Sequence, residues 1–503
     1  MKVRLMHTSR DFDPRAALPA NEPDLAADLE LGPLLEAMAG GDEFLLAVAK
    51  TGLHSGLARP AEITYRQHVL ADCAAHPDVV RELYDLAVNA EAAERQVFGF
   101  AFRDSPDTIL YRSRQLMGLH MASLHHLAGL AARHEEDFRS EGFSRFFAMI
   151  ASTLTSDYFT EMEGRLAELE LRRGTLMSAR LGKGGRGTGY VLRRHPPGRG
   201  WLDRLAGRDR DAYSFTIAER DEAGARALSD LAGRALGDTA NALAQSADNV
   251  KGFFQLLRAE LGFYLGCLNL RDRLAARGQP TCYPLPAAIG EHQLSASGLY
   301  DVSLALTMEG PVTGNDAHAD GRQLIMITGA NQGGKSTFLR AVGQAHLMLQ
   351  AGMFAPAQEL SASACSGIFT HFNREEDASM RKGKLDEELE RMSAITDVIA
   401  PGALLLCNES FASTNEREGS QIAREVIQAL TEAGVRVVMV THLYDLAQGI
   451  HAHADGRVLF LRAERQDNGR RTFRLPEGEP LPTSYGEDLY RQVFGPAQEK
   501  APA

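Results

Sequence analysis

Long apolar runs are missing from this chain. No stretch approaches the roughly 18 consecutive apolar residues of a membrane-spanning helix, and residues 1–15 carry too many charges for the apolar core of a secretory leader. No membrane association is expected, and the expected setting is cytoplasmic. Cysteine is sparse: Cys73, Cys267, Cys282, Cys365 and Cys407 are scattered, odd in number and without C-x-x-C spacing. That pattern excludes a disulfide framework and a structural zinc site, and it fits buried free thiols in a reduced compartment. Internal repeats and low-complexity tracts are also missing. So is any excess of basic charge: the formal net charge is −12, which argues against a uniformly basic nucleic-acid binder. Local patches rather than totals set a binding field, however. Arg172, Arg173, Arg180, Lys183, Arg186, Arg193, Arg194, Arg199, Arg204, Arg208 and Arg210 crowd one stretch. A phosphate-binding face and a solvated loop both fit it.

The 503 residues, 44% hydrophobic and 24% charged, are globular in composition and too many for one ordinary core. Length alone suggests roughly two to four domains. Residues 1–23 are polar and proline-dotted, an irregular lead-in. From Asp24 to about Leu171 the pattern is helical almost throughout, with Ser105-Pro106-Asp107 as an N-cap followed by proline at the first helical position. Residues 181–194 read as a glycine-rich turn running into a short strand. A second long helix is expected from about Glu219 to Arg277, with an apolar stripe through Val250, Phe253, Phe254, Leu257, Leu261, Tyr264, Leu265 and Leu268. Such a helix serves as a coiled-coil-like arm or as a strut. Pro280, Pro284 and Pro286 mark a boundary after it. From about 295 the texture becomes strand–helix–strand, with apolar runs at 324–328, 403–407 and 435–440. Continuous apolar strands alternating with helices predict a mainly parallel sheet covered on both faces.

Gly329-Ala-Asn331-Gln-Gly333-Gly334-Lys335-Ser336-Thr337 fits G-x-x-x-x-G-K-[ST] between one of those strands and a helix-patterned segment. Glycines let backbone N–H groups turn inward, and a helix N-terminus adds partial positive charge, so the segment is an anion cradle. Lys335 can reach β- and γ-phosphates, and the Ser336 hydroxyl can ligand Mg²⁺. ATP with Mg²⁺ is the expected ligand pair. Hydrolysis also needs an acid near the metal, a group for the attacking water and a γ-phosphate sensor. The strand 403–407 runs into Asn408-Glu409, where a Walker B motif would carry Asp-Glu. Glu409 is the candidate catalytic base, and the Asn408 carbonyl oxygen can accept from a Mg²⁺-bound water. His442 follows the third strand, beside the phosphate loop, and can bond the γ-phosphate or the water. His120, His125 and His126 lack the i,i+4 spacing of a helical metal site. Gly182 to Gly187 fits G-x-G-x-x-G but has no strand before it and no helix after it, so it is not read as a dinucleotide site.

Residues 329–340 resemble the phosphate loop of the MutS family of DNA mismatch-repair ATPases, usually G-P-N-M-G-G-K-S-T. The likeness continues at 350–357, at 367–377 (family form I-F-T-R-I-G-A-x-D) and at Ser484-Tyr-Gly486. Upstream, Asp28-Leu-Glu-Leu, Arg66-Gln67 and Phe253 to Tyr264 resemble the helical core and lever segments. The resemblance implies a multidomain chain: a mostly α-helical core and lever at 24–290 with a short clamp near 176–210, then an α/β P-loop ATPase domain of the ABC type at 295–495. It assigns Gly329, Asn331, Gly333, Gly334, Lys335, Ser336 and Thr337 to the triphosphate and Mg²⁺, Glu409 to the catalytic acid and His442 to the switch histidine. Family members work as dimers, each ATP lying between one phosphate loop and the partner's signature loop. Residues 410–419 occupy that loop's place, with Thr414 kept and Asn415 standing where a serine would approach the partner's γ-phosphate.

The family's mismatch-reading members carry an N-terminal domain with a Phe-x-Glu wedge. The helical core here begins within the first 30 residues, so a short member without that domain is expected. Phe159-Thr-Glu161 has the wedge's letters but sits in a helix-patterned stretch and reads as packing. The expected function is ATP-dependent binding of mismatched, branched or distorted DNA by a homodimeric clamp in repair or recombination. Contacts would come from Lys183, Arg186, Arg193 and Arg194, and other repair proteins are candidate partners. The alternative is an ATP-driven dimeric switch acting on a protein partner. A transporter subunit fits poorly, because no L-S-G-G-Q signature is present.

Overall fold

Leu25 and Leu29 stand one helical turn apart and are buried, as are Leu34, Leu35 and Met38, so the chain coils from about residue 22 onward. A computed structural model describes residues 1–97, 105–172, 174–194, 216–218, 220–374, 383–466 and 471–481. Four helices come first: α1 (Glu22–Asp28), α2 (Gly32–Ala39), α3 (Glu43–Leu53) and α4 (Pro60–Ala75). Next come α5 (Pro77–Val97), α6 (Pro106–His134), α7 (Glu141–Thr153) and α8 (Ser156–Glu168). Ser105 and Pro106 stand at the N-cap and first helical positions of α6, though the Ser105 hydroxyl bonds Thr108 Oγ1 at 2.8 Å rather than a backbone N–H. Phe159 is buried in α8 with its ring 3.6 Å from that of His125, a packing role as the sequence suggests.

The glycine-rich segment forms a hairpin, β1 (Met177–Leu181) pairing antiparallel with β2 (Gly187–Leu192). Its turn is a 3₁₀ step at Lys183–Gly185, closed by the Gly182 N–H donating to Arg186 O at 2.7 Å. The expected long helix is α9 (Glu222–Ala276), and every residue of its apolar stripe is buried.

The remainder comprises β3 (Leu285–Ala287), β4 (Leu294–Leu299), α10 (Val302–Thr307), β5 (Asn315–His318), β6 (Leu324–Gly329), α11 (Lys335–Gln350), β7 (Glu359–Ser363) and β8 (Ile368–Phe372). It continues through α12 (Lys384–Thr396), β9 (Leu404–Asn408), α13 (Glu416–Glu432), β10 (Arg436–Val440), α14 (Tyr444–His451) and β11 (Val458–Ala463). Five strands form a wholly parallel sheet in the order β11-β6-β10-β9-β8. β6, β9 and β10 are buried along nearly their whole length, as strands covered on both faces must be. A second, mixed sheet has the order β3-β7-β4-β5.

The chain divides into two compact units. One gathers Met1–Val3, Asp78–Phe138 and Phe143–Arg258; the other gathers Arg4–Pro77, Arg139–Gly142 and Ala259–Ala503. The boundary expected near 290–295 thus falls inside the second unit, because the lead-in and the end of α9 pack together. Glu260, fully buried, accepts from the N–H groups of Met6 and Phe12 at 3.0 Å each and also from that of Leu5. Arg66, also buried, donates to Met6 O at 3.1 Å and to Ala351 O at 3.0 Å. Among the described residues no helix is long and apolar enough to cross a membrane. All five cysteines are free, and Cys282 alone among them is only half-buried.

Candidate functional site

At the carboxyl end of β6 the backbone turns through left-handed conformations at Gly329 (φ 103°), Gln332 (φ 58°) and Gly334 (φ 88°). A side chain is excluded by space as well. A Cβ on Gly333 would lie 2.6 Å from Ala463 Cβ, and one on Gly329 would lie 2.9 Å from the Ala463 nitrogen. The loop therefore runs against β11 too closely for anything but glycine. It ends in α11, whose first-turn N–H groups, including those of Ser336 and Thr337, have no intrahelical acceptor and carry the positive end of the helix dipole. Lys335 Nζ folds back on the loop, donating to Gly329 O and Ala330 O at 3.0 Å each. Burial lowers its pKa to about 8; the charge of Arg471 adds to that, and Glu409 opposes it.

β9 lies beside β10, with Asn408 paired to Val440. The Ser336 hydroxyl donates to Asn408 Oδ1 at 3.0 Å, which joins the start of α11 to the end of β9. These two oxygens are hard donors of the kind Mg²⁺ takes. Among the described residues no cluster of three or more His, Cys, Asp or Glu could cage a metal. A donor set of that size suits Mg²⁺, which is commonly shared with substrate phosphates.

Glu409 comes directly after β9 in a left-handed conformation (φ 55°), its N–H donating to Val440 O at 2.9 Å. A non-glycine residue there is strained, and such strain concentrates at functional sites. It turns the carboxylate to His442, whose Nε2 lies 2.9 Å from Glu409 Oε1. The hydrogen bond from His442 holds the Glu409 carboxyl below the usual range against an opposing effect of burial, helped by the charges of His442 and Lys335.

Behind Glu409, Phe411 is again left-handed (φ 63°) and buried. Ser410 Oγ lies 2.7 Å from His371 Nδ1, while His371 Nε2 lies 3.0 Å from Glu388 O. Glu388 O only accepts, so Nε2 carries the proton, and the Ser410 hydroxyl donates to His371 O at 2.8 Å. Asn415 is the N-cap of α13, its side-chain oxygen accepting from the Glu418 N–H at 3.0 Å. Thr414 donates to Glu418 Oε2 at 2.8 Å. Both residues read as partner-facing in the sequence are thus engaged at the start of their own helix. Glu416 Oε1 accepts from the Tyr444 N–H at 2.9 Å, tying that helix start to the turn after His442.

A polar cavity of about 150 Å³ adjoins the loop, lined by Thr328, Gly329, Glu416, Thr441 and His442 among others. A larger cavity of about 500 Å³ lies at the opposite end of β6, around Gln323, Arg424 and His453. Open parallel sheets commonly bind ligands outside the carboxyl ends of their strands, which is the end where the smaller cavity lies.

Sequence reasoning missed the returning segment beyond β11. Arg471 Nε donates to Asn331 O at 3.2 Å. Phe473 is left-handed (φ 60°) and 48% exposed, and its Cα lies 3.6 Å from where a Cβ on Gly334 would be. No motif announces either residue.

The four basic candidates belong to the other compact unit, on or just after the hairpin. Lys183 opens its turn and Arg186 follows it, and Arg193 Nε donates to Ser178 Oγ at 2.8 Å. Arg194 is paired with Glu168 at 2.9 Å. Arg173, Arg199, Arg204, Arg208 and Arg210 lie outside the described residues, as do Ser484-Tyr-Gly486 and residues 375–377 of the acidic loop.

Residues 58–277 match the family described as the MutS2 N-terminal domain, and residues 325–498 match MutS domain V. A DNA mismatch repair protein MutS from Chloroflexus aurantiacus is 31% identical over 190 residues, covering 34% of this chain and 20% of that protein. One from Thermus aquaticus is 33% identical over 124 residues (25% and 15%), and one from Clostridium tetani 28% over 214 (41% and 23%). The chain thus spans less than a quarter of the length of these relatives.

Proposed function

The chain belongs to the MutS family, and from that membership we propose that it is an ATP-hydrolysing, DNA-binding protein whose nucleotide site lies at Gly329–Thr337, Asn408, Glu409 and His442. The observation that carries the reading is the 2.9 Å pair of Glu409 and His442 at the mouth of a glycine loop holding a buried lysine. A carboxylate kept ionised by a histidine is suited to orient water and accept its proton. His442, hydrogen-bonded to that carboxylate, fixes its direction and can turn its donor to the γ-phosphate as charge develops. Lys335 leaves the two loop carbonyls for the β- and γ-oxygens. Ser336 and the Asn408 amide oxygen would hold Mg²⁺, directly or through water. Held there, that ion would supply charge neutralisation for the triphosphate. We assign the base to the exposed ring of Phe473, next to Gly334.

One phosphate loop per chain, with Thr414 and Asn415 at the head of α13, suits a composite site completed by a second copy, as in a dimeric clamp. Asn415 spends its carbonyl oxygen on the helix cap and keeps its amide N–H₂ as a donor toward a partner's γ-phosphate. DNA would be held at the hairpin by Lys183, Arg186 and Arg193, through phosphates rather than base edges. α9 contributes residues through Arg258 to one compact unit and from Ala259 to the other, which suits it to carry nucleotide state toward the hairpin-bearing unit. Branched or distorted DNA is the favoured ligand, in the cytoplasm.

A protein-partner switch is the second reading; the net charge of −12 and the engagement of Arg194 by Glu168 favour it. Binding of duplex, mispaired and junction DNA, measured with ATP across salt concentrations, separates the two. The DNA reading predicts salt-sensitive binding that weakens when Arg186 and Arg193 are both reversed to Glu while hydrolysis persists. No binding to any of the three at low salt would leave the protein-partner reading.

A further inference from the structure

We propose that Glu388 is a positioning residue for hydrolysis of the nucleotide held by a second copy of this chain: from α12 it fixes Ser413, and with it the Thr414-Asn415 pair that completes the second copy's site. The proposal rests on the triphosphate and composite-site readings above. Leu385, Glu388, Met392 and Ile395 recur at steps of three and four along α12 and form one stripe of that helix. Met392 is buried in the apolar core that also holds Phe411, and Ile395 packs against it. Glu388 stands in this stripe at 3% exposure, while Leu389 beside it is 38% exposed. A carboxyl group on the core face of an amphipathic helix breaks the pattern that folds the helix, and such breaks are expected at functional positions.

The buried carboxyl group holds one residue. Glu388 Oε1 accepts from the Ser413 hydroxyl at 2.6 Å, and Oε2 takes no hydrogen bond among the described residues. One bond from a neutral hydroxyl offsets only part of the penalty of burying a carboxyl group, so the arrangement is a poor device for stability. Its use follows from where Ser413 sits. Residues 410–415 run from Glu409 to the N-cap of α13. The start of this loop is fixed by the Ser410 hydroxyl, which donates to His371 O at 2.8 Å. Buried Phe411 follows, its carbonyl so near α13 that a Cβ on Gly419 would lie 2.4 Å from it. Thr414 and Asn415 bond Glu418 of α13, which leaves Ser413 as the residue that registers them against α12. Donors to a reacting phosphate must be placed to a fraction of an ångström, and a second helix gripping the loop next to them supplies that constraint.

Steady-state hydrolysis and equilibrium ATP binding by the full chain test this in wild type, Glu388→Ala, Glu388→Gln, Ser413→Ala and Lys335→Ala, with thermal melting to confirm that each is folded. Glu388→Ala should lower kcat by roughly tenfold to a hundredfold, as misplacement of a contacting group does, with ATP affinity within a few-fold of wild type. Ser413→Ala removes only the donor and should act in the same way. Glu388→Gln keeps an acceptor oxygen and should recover most of the rate. The mixed dimer of Glu388→Ala and Lys335→Ala, co-expressed and isolated by separate tags, pairs an intact phosphate loop from the first chain with an intact loop 410–415 from the second. It should regain about half of the wild-type activity, one of its two sites being complete. Wild-type kcat in both Glu388→Ala and Ser413→Ala overturns the role of Glu388 and leaves the nucleotide site standing. An inactive mixed dimer overturns action across subunits, and loss of ATP binding in Glu388→Ala would make the residue a support of the whole domain; either overturns the proposal. Recovery of no mixed dimer overturns the composite site and the proposal with it. Failure of the wild type to hydrolyse ATP overturns the catalytic reading as well.

Discussion

His442 Nε2 stands 2.9 Å from Glu409 Oε1, the two side chains leaving the carboxyl ends of neighbouring parallel strands β10 and β9. The bond holds the Glu409 carboxyl below its ordinary range. Activity that depends on ionised Glu409 should therefore be lost only as pH falls through that depressed value. Replacing His442 by Ala removes the largest cause of the depression. The acid limb of the kcat–pH profile should move to higher pH in His442→Ala, alongside a fall in kcat of roughly a hundredfold. An unmoved acid limb would mean that the pair is not what sets the ionisation of the catalytic group.

Asn408 presents a neutral oxygen to the Ser336 hydroxyl where a carboxylate would add a charge. Asn408→Asp should lower the Mg²⁺ concentration needed for half-maximal hydrolysis by about fivefold to tenfold, the effect of roughly 1 kcal/mol of added attraction at a partly solvated site. Ser336→Ala should raise it. Titrations of hydrolysis rate against Mg²⁺ at saturating ATP read both shifts.

Lys335 titrates near pH 8 because burial disfavours its charge. A bound triphosphate restores the charged form, so binding takes up a proton wherever the empty site has lost one. ATP affinity should fall as pH rises above about 8, and calorimetry in buffers of different ionisation heat should register the uptake. A pH-independent affinity between 7 and 9 would contradict a direct contact between Lys335 and phosphate.

The parts of the site visible in the sequence are those whose chemistry derives from local pattern. Gly329–Thr337 announces itself by spacing, Glu409 and His442 by standing where apolar strands end, and α9 by its stripe. That Glu409 and His442 touch depends on strand order β11-β6-β10-β9-β8, which is decided by tertiary packing and leaves no local trace. The mixed sheet escaped for a related reason. Leu285–Ala287 and Asn315–His318 are too short to show a period of two, and Leu285–Ala287 pairs with Glu359–Ser363, far away in sequence. The resemblance marks Asn415 as a contact for a second chain, and Asn before Glu-Arg-Glu is also an N-cap signal, the role it fills at α13. Arg471 and Phe473 reach the loop by a chain reversal that carries no motif.

Glu260 fastens the lead-in to α9 through the N–H groups of Leu5, Met6 and Phe12. Glu260→Ala leaves those buried donors without an acceptor and should destabilise the fold by about 2–4 kcal/mol, with residues 1–12 becoming protease-sensitive first. Burial raises the Glu260 pKa to about 7 despite these bonds. The folded chain therefore retains a proton that the unfolded chain loses above about pH 4.5, so this group's contribution declines as pH rises from there to 7. Chemical denaturation of wild type and Glu260→Gln at pH 5 and pH 7.5 should find that slope in the first and not in the second.

The central claim is that Glu409 drives ATP hydrolysis at a site that binds nucleotide without it. Steady-state phosphate release by the purified chain and by Glu409→Ala, with ATP affinity measured on the same samples, addresses it directly. The account predicts hydrolysis by the wild type, a loss of at least about a hundredfold in Glu409→Ala, and ATP affinity within a few-fold of wild type. Equal hydrolysis by both proteins, or loss of ATP binding together with activity, would contradict it.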